Sequence, residues 1–171
     1  GAIVPLVYAS ALAGFEREGA VNYYTPATIV WDVSTTYPNG QPVVNFDQQF
    51  RGAVNVRSAM QNNLTVPAVR TYNTVGTAHF RAVGEALGLR FRSDEQFGPP
   101  TAVNETEVRL YDMMKAYGAI ANGGTRLDLH TIDSITDADG NPVAVPARED
   151  PVQALSAAQA YLMVNMLSDD Q

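Results

Sequence analysis

The stretch Asn45-Phe-Asp-Gln-Gln-Phe-Arg-Gly-Ala-Val-Asn-Val-Arg-Ser-Ala-Met-Gln-Asn-Asn-Leu-Thr-Val-Pro-Ala-Val69 carries the most local information in this chain. Asn55 stands just before an apolar run and suits a helix N-cap, because its side-chain oxygen can accept from free N–H groups of the first turn. A short helix is expected over Val56 to Leu64. Pro67 suits the opening turn of a second, where the missing N–H costs no internal hydrogen bond. That helix is expected to run to about Thr74.

Upstream, Pro5 to Arg17 reads as a helix, with Pro5 in its first turn and Gly19 as its stop. From Ala20 to Gln49 no period is sustained and turn dipeptides recur, so a long connecting segment is expected, ordered by aromatics such as Tyr23, Tyr24 and Trp31. Downstream, Ala78 to Leu87 is a helix closed by Gly88. Thr106 to Ala121 is the clearest helix, with Thr106 as cap and Glu107 in the first turn. Leu110, Met113, Met114, Tyr117 and Ile120 fall on its apolar face, and the two methionines are expected to fill the core. Asn122-Gly-Gly124 ends it. Alternation from Arg126, the turn Asp137-Ala-Asp-Gly140 and Val143 to Val145 predict a β-hairpin, the single strand-forming region expected. Ser156 and Gln159 form a capping box for a last helix to Leu167.

The chain of 171 residues is long enough for one domain with a real core. Its 46% hydrophobic and 17% charged content is that of a globular protein. A net charge of -7, with eleven scattered Lys and Arg residues, argues against nucleic-acid binding. The absence of cysteine excludes disulfides and thiol chemistry. No run approaches the roughly 20 apolar residues of a spanning helix. Apolar segments close to both ends suggest a piece of something longer.

The opening stretch resembles the segment of penicillin-binding proteins, the D,D-transpeptidases of peptidoglycan synthesis, that carries their second active-site motif. The resemblance rests on Asn45, Phe46, Asp47, Phe50, Gly52, Val54, Arg57, Ala59, Pro67, Ala68 and Val69. Further stretches resemble the class A members of that family in the same order. They are Gly1-Ala-Ile-Val-Pro5-Leu-Val-Tyr8, Tyr24-Thr-Pro26 with Asp32, Ala116-Tyr117 with Asn122-Gly-Gly124, Asp137-Ala-Asp139-Gly140, and Ala160-Tyr161 with Met166-Leu167. The resemblance implies an α+β fold. This chain, residues 1–171 of a partial transpeptidase domain, would be a mainly helical segment with a small β-hairpin, the helical lobe of the β-lactamase/D,D-transpeptidase-like fold. It also implies a bacterial protein on the extracytoplasmic face of the cell membrane, anchored by a part outside this chain. The implied partners are a peptidoglycan stem peptide or a β-lactam; no cofactor, no metal and no nucleic acid are implied, and no protein partner is indicated.

The family's reaction needs a serine nucleophile and a lysine one helical turn later to take its proton. A second serine relays the proton, an asparagine two residues on binds substrate, and a Lys-Thr-Gly strand forms the opposite wall. Carried onto this chain, those positions hold Gly1 for the serine, Val4 for the lysine, Asn63 for the second serine and Thr65 for the asparagine. No Lys-Thr-Gly occurs, and the only lysine, Lys115, is expected on an exposed helix face. No catalytic residue is intact, and Asn63 and Thr65 remain as candidate substrate-binding residues. They are expected to face the first turn of the Pro5 helix near Val4; the competing reading makes Asn63 a helix end on the surface. Two functions stay open: part of a working transpeptidase, or a pseudo-enzyme that binds peptidoglycan or a partner. The loop at Asp137 opens like a calcium loop but has Pro142 and Arg148 at positions needing Gly and Glu. His79 and His130 lack partners at metal-ligand spacing.

Overall fold

The computed structural model describes residues 1–91, 98, 100, 107–145 and 147–169. Helix α1 (Val4–Leu12) is the centre of the molecule, and eight of its nine residues are buried. It starts without a side-chain cap but with Pro5 in its first turn. It stops at Gly14 (φ +88°) rather than at Gly19, which corrects the expected boundary. Phe15–Arg17 is instead strand β1, paired antiparallel with β2 (Ala20–Asn22). Glu18 and Gly19 link them with φ of +54° and +76°, the two positive values that a two-residue type I′ turn demands. Gly19 is therefore a hairpin residue, not a helix stop.

The segment expected as a long connection also carries β3 (Ile29–Asp32), β4 (Thr35–Thr36) and β5 (Pro42–Val43). β3 pairs antiparallel with β6 (Gly52–Asn55), placing Val30 opposite Val54 on the buried face. β4 pairs with β5. These strands are too short for a legible period of two, and cross-chain pairing rather than local propensity makes them.

Asn55 ends β6 and caps α2 (Val56–Gln61), its Oδ1 accepting from Ser58 N at 2.8 Å. Two further helices follow, α3 (Thr65–Val75) and α4 (Thr77–Leu87), the latter closed by Gly88 at φ +104°. Tyr72, Phe80 and Phe91 stack in sequence, with centroid spacings of 5.2 and 5.9 Å. α3 and α4 pack on α1.

Helix α5 spans Leu110–Ala121 and is shorter than expected. Glu107 lies outside it, and Thr106, the expected cap, lies outside the described residues. Asp112 occupies the first turn and receives both Nε and an Nη of Arg109 at 2.8 Å. The buried face is Asp112, Lys115, Ala116, Ala119 and Ile120, whereas Leu110 and Met114 are 77% and 57% exposed and Met113 only half-buried. The expected apolar face is thus turned partly outward. The small Ala116 and Ala119 let α5 approach its neighbours α4 and α6 closely. Lys115 is buried, correcting its expected exposure; its ammonium meets Asp128 at 3.2 Å and the Tyr111 ring at 5.1 Å.

Past α5, β7 (Thr125–Arg126) pairs with β10 (Val152–Gln153), and β8 (Ile135–Thr136) pairs with β9 (Pro142–Val143) around the Asp137 turn. The predicted hairpin exists but is one of five two-stranded ribbons among the described residues, so strand content is not confined to it. Helix α6 (Ala157–Leu167) carries the expected capping box, with Ser156 and Gln159 bonding reciprocally. Arg57 of α2 fastens the end of α6 through the Asn165 side chain and Asp169. Among the described residues no helix is long and apolar enough to cross a membrane.

Candidate functional site

A cleft of about 310 Å³ lies between the start of α1, the loop after β5 and the α2–α3 junction, lined by Gly1, Val4, Asn63 and Thr65 together with Val44, Asn45, Phe46 and Gln48. All four positions singled out in the sequence therefore meet in one place. The backbone nitrogen of Gly1 donates to Asn63 Oδ1 at 2.7 Å.

The local fold explains how each arrives there. Asn63 has φ +48° and follows the last turn of α2. Its N–H donates to Met60 O at 3.1 Å, and the N–H of Leu64 donates to Ala59 O at 2.9 Å. This is the paired 5→2 and 6→1 closure of a helix by a left-handed residue, a position that asparagine tolerates better than serine. Asn63 is thus a helix terminator through its backbone while its side chain reaches Gly1, so the two roles set against each other in the sequence coexist.

Thr65 opens α3, whose cap position, Leu64, offers no side-chain oxygen. The missing cap comes from Asn45, 21 residues upstream, whose Oδ1 accepts from Val66 N at 3.2 Å. The amide nitrogen of Asn45 donates to both carboxylate oxygens of Asp32, at 2.8 and 2.9 Å, and to Gln49 O at 2.7 Å. Asp32 is fully buried and also accepts from Arg51 N at 3.1 Å. Asn45 uses both its amide nitrogen and its side-chain oxygen to hold strand β3, the 45–51 loop and α3 together. The sequence pattern marks Asn45 as part of the frame; its place in the cleft wall appears only in three dimensions, as do those of Val44, Phe46 and Gln48.

The chemistry available is narrow. Every lining side chain is uncharged, and none is a proton acceptor at neutral pH. Val4 is apolar and 3% exposed. Tyr8, one turn further along α1, is buried, and burial pushes its phenol well above the ordinary range, so it cannot stand in as a base. Lys115 is committed to Asp128. Among the described residues no cluster of His, Cys, Asp or Glu could hold a metal ion.

The family model described as the penicillin-binding protein transpeptidase domain matches residues 9–171. The chain therefore belongs to the penicillin-binding protein transpeptidase family. It is 30% identical over 152 residues to penicillin-binding protein 1A of Streptococcus pneumoniae, covering 85% of this chain and 21% of that protein. Its fold matches penicillin-binding protein 1A of Haemophilus influenzae with a TM-score of 0.78 at 19% identity, over 97% of this chain and 28% of the other. It matches the imipenem acyl-enzyme complex of penicillin-binding protein A from Mycobacterium tuberculosis with a TM-score of 0.77 at 18% identity, over 96% and 41%. The α+β architecture is thus that of a transpeptidase-domain segment, and the chain spans about a fifth of the length of the curated relatives it matches.

Proposed function

We propose that residues 1–171 are the helical part of a penicillin-binding transpeptidase domain that keeps the fold and the substrate cleft but performs no serine acyl transfer. The observation that carries this is Val4. By the resemblance Val4, a buried aliphatic side chain, falls at the position from which a lysine would deprotonate the nucleophile, and no other lining side chain can replace it. Gly1, Asn63 and Thr65 leave the cleft polar without a nucleophile–base pair. The retained role is non-covalent binding of a peptidoglycan-type peptide at the outer face of a bacterial membrane. The mycobacterial neighbour that shares this fold is an imipenem acyl-enzyme complex, which supports seeking ligand binding in a chain of this fold.

Incubation with a fluorescent penicillin at neutral pH, read by gel fluorescence and intact mass, tests the reading. No mass gain and no labelled band are expected. A stoichiometric adduct overturns it.

A further inference from the structure

We propose that Asn39 is a site of spontaneous covalent modification, at which the β4–β5 turn passes through a cyclic imide to aspartate and isoaspartate. The inference is independent of what the cleft binds. The reaction needs water as its only co-reactant. The Gly40 backbone nitrogen gives up its proton and bonds to Asn39 Cγ, the Cγ–Nδ2 bond breaks, and the side-chain nitrogen leaves as ammonia. Water then opens the imide ring at one of its two carbonyls. Opening at Cγ leaves aspartate. Opening at the Asn39 backbone carbonyl leaves isoaspartate, with the main chain running through the former side chain.

The geometry of the turn favours the first step. Asn39 and Gly40 are both exposed. Tyr37 N donates to Gln41 O at 2.8 Å and Gly40 N donates to Tyr37 O at 2.9 Å, with Gly40 in the left-handed region at φ +82°. The second of these bonds is the one that holds the attacking nitrogen. Asn39 Oδ1 accepts from Gln41 N at 3.1 Å, which polarises the side-chain carbonyl and makes Cγ the better electrophile. Among the described residues no partner holds Nδ2, the leaving group. A Cβ built on Gly40 would meet nothing within 4 Å, so the nitrogen is unhindered and the ring has room to close.

Asn122-Gly123 is the other Asn-Gly pair in the chain, and it is pinned. Asn122 Nδ2 donates to Thr125 O at 3.0 Å, Gly123 O accepts from Gln153 Nε2 at 3.1 Å, and Gly124 N donates to Ala119 O at 2.8 Å. A Cβ on Gly124 would lie 2.1 Å from Leu155 O, so the backbone there has no room to shift towards a ring. The turn Asp137–Asn141 shows what the products do. It is bonded in the same way, Asp137 N to Asn141 O at 2.9 Å and Gly140 N to Asp137 O at 3.1 Å, with Gly140 at φ +85°. The flanking pairs also correspond, Thr36 with Pro42 and Thr136 with Pro142. Asp139 stands there at the place of Asn39, so aspartate fits this turn. Isoaspartate instead adds a methylene to the main chain between Thr36 and Pro42. Val43, buried in the core, and Val44, in the cleft wall, follow directly, so that product loosens both.

The test is incubation of the 171-residue chain in mildly alkaline buffer at physiological temperature, followed by peptide mapping with mass spectrometry and an isoaspartate assay. Asn39 is expected to convert about tenfold faster than Asn122, the effect on a rate of one or two extra hydrogen bonds that must open first. Conversion is expected to quicken as pH rises, because the attacking nitrogen must lose its proton. The aged chain is expected to show a second, lower thermal midpoint that grows with its isoaspartate content, whereas Asn39→Asp melts with the unmodified chain. No conversion at Asn39, or conversion at Asn122 as fast as at Asn39, overturns the inference. An Asn39→Asp chain that melts as low as the isoaspartate fraction overturns the assignment of the damage to the altered linkage.

Discussion

At the residue scale, the proposed lack of acyl transfer turns on Val4, and both Val4 and Asn63 stand in the wall of the cleft. Val4 is sealed against the core at the start of α1. Placing a lysine there strands an ammonium without a carboxylate among the cleft-lining residues, so Val4→Lys is expected to destabilise the chain by about 3 kcal/mol and to form no adduct with a fluorescent penicillin. Urea unfolding and intact mass read both effects. Asn63→Gly, by contrast, keeps the left-handed helix end and is expected to change stability by less than about 0.5 kcal/mol. Asp32→Ala is the severe case. It removes the buried carboxylate to which the Asn45 amide and the Arg51 N–H donate, leaving the Asn45 amide only Gln49 O, and a loss of about 3 kcal/mol is expected from the urea midpoint.

At the element scale, α5 is anchored by charge as well as by packing. The Lys115 ammonium holds the Asp128 carboxyl below the ordinary carboxylate range, aided by the Glu149 N–H. A depressed folded pKa means that the unfolded chain binds the proton first. The stabilisation is therefore complete above the ordinary carboxylate value and lost as pH falls below it through the folded value. Lys115→Met is expected to flatten the stability profile over that acid window, read as thermal midpoints between about pH 5 and 2. At α6, Ser156→Ala removes one half of the capping box and is expected to cost about 1 kcal/mol, seen as a lower denaturation midpoint.

At the scale of the whole molecule, a continuous core around α1 coexists with a surface rich in large apolar side chains. Ile29 and Trp31 on β3, Leu110 and Met114 on α5, and Tyr161 and Leu167 on α6 are all exposed. Exposed apolar area on this scale favours association, against which the net charge of -7 gives modest protection. Light scattering of the chain is expected to rise with concentration and with salt. The double substitution Leu110→Glu and Met114→Gln is expected to reduce it; unchanged scattering would place the association elsewhere.

The sequence by itself determined the helices that carry their own local signals. Asn55 before α2, Ser156 and Gln159 before α6, and Gly88 after α4 act within one turn of their own position. It also determined the family frame, because that is a matter of residue type and spacing. Only the tertiary structure decided the rest. Strands of two to four residues exist through partners up to 28 residues away, as in Thr125 with Gln153, and carry no period of their own. The outward turn of Leu110 and Met114 follows from the Ala116 and Ala119 face of α5 packing against α4 and α6, which no helical spacing can specify. The cleft wall at Asn45 and Phe46 is decided by a cap and a buried carboxylate supplied from distant segments, since a loop acquires a fixed shape from the groups it is bonded to rather than from its own sequence.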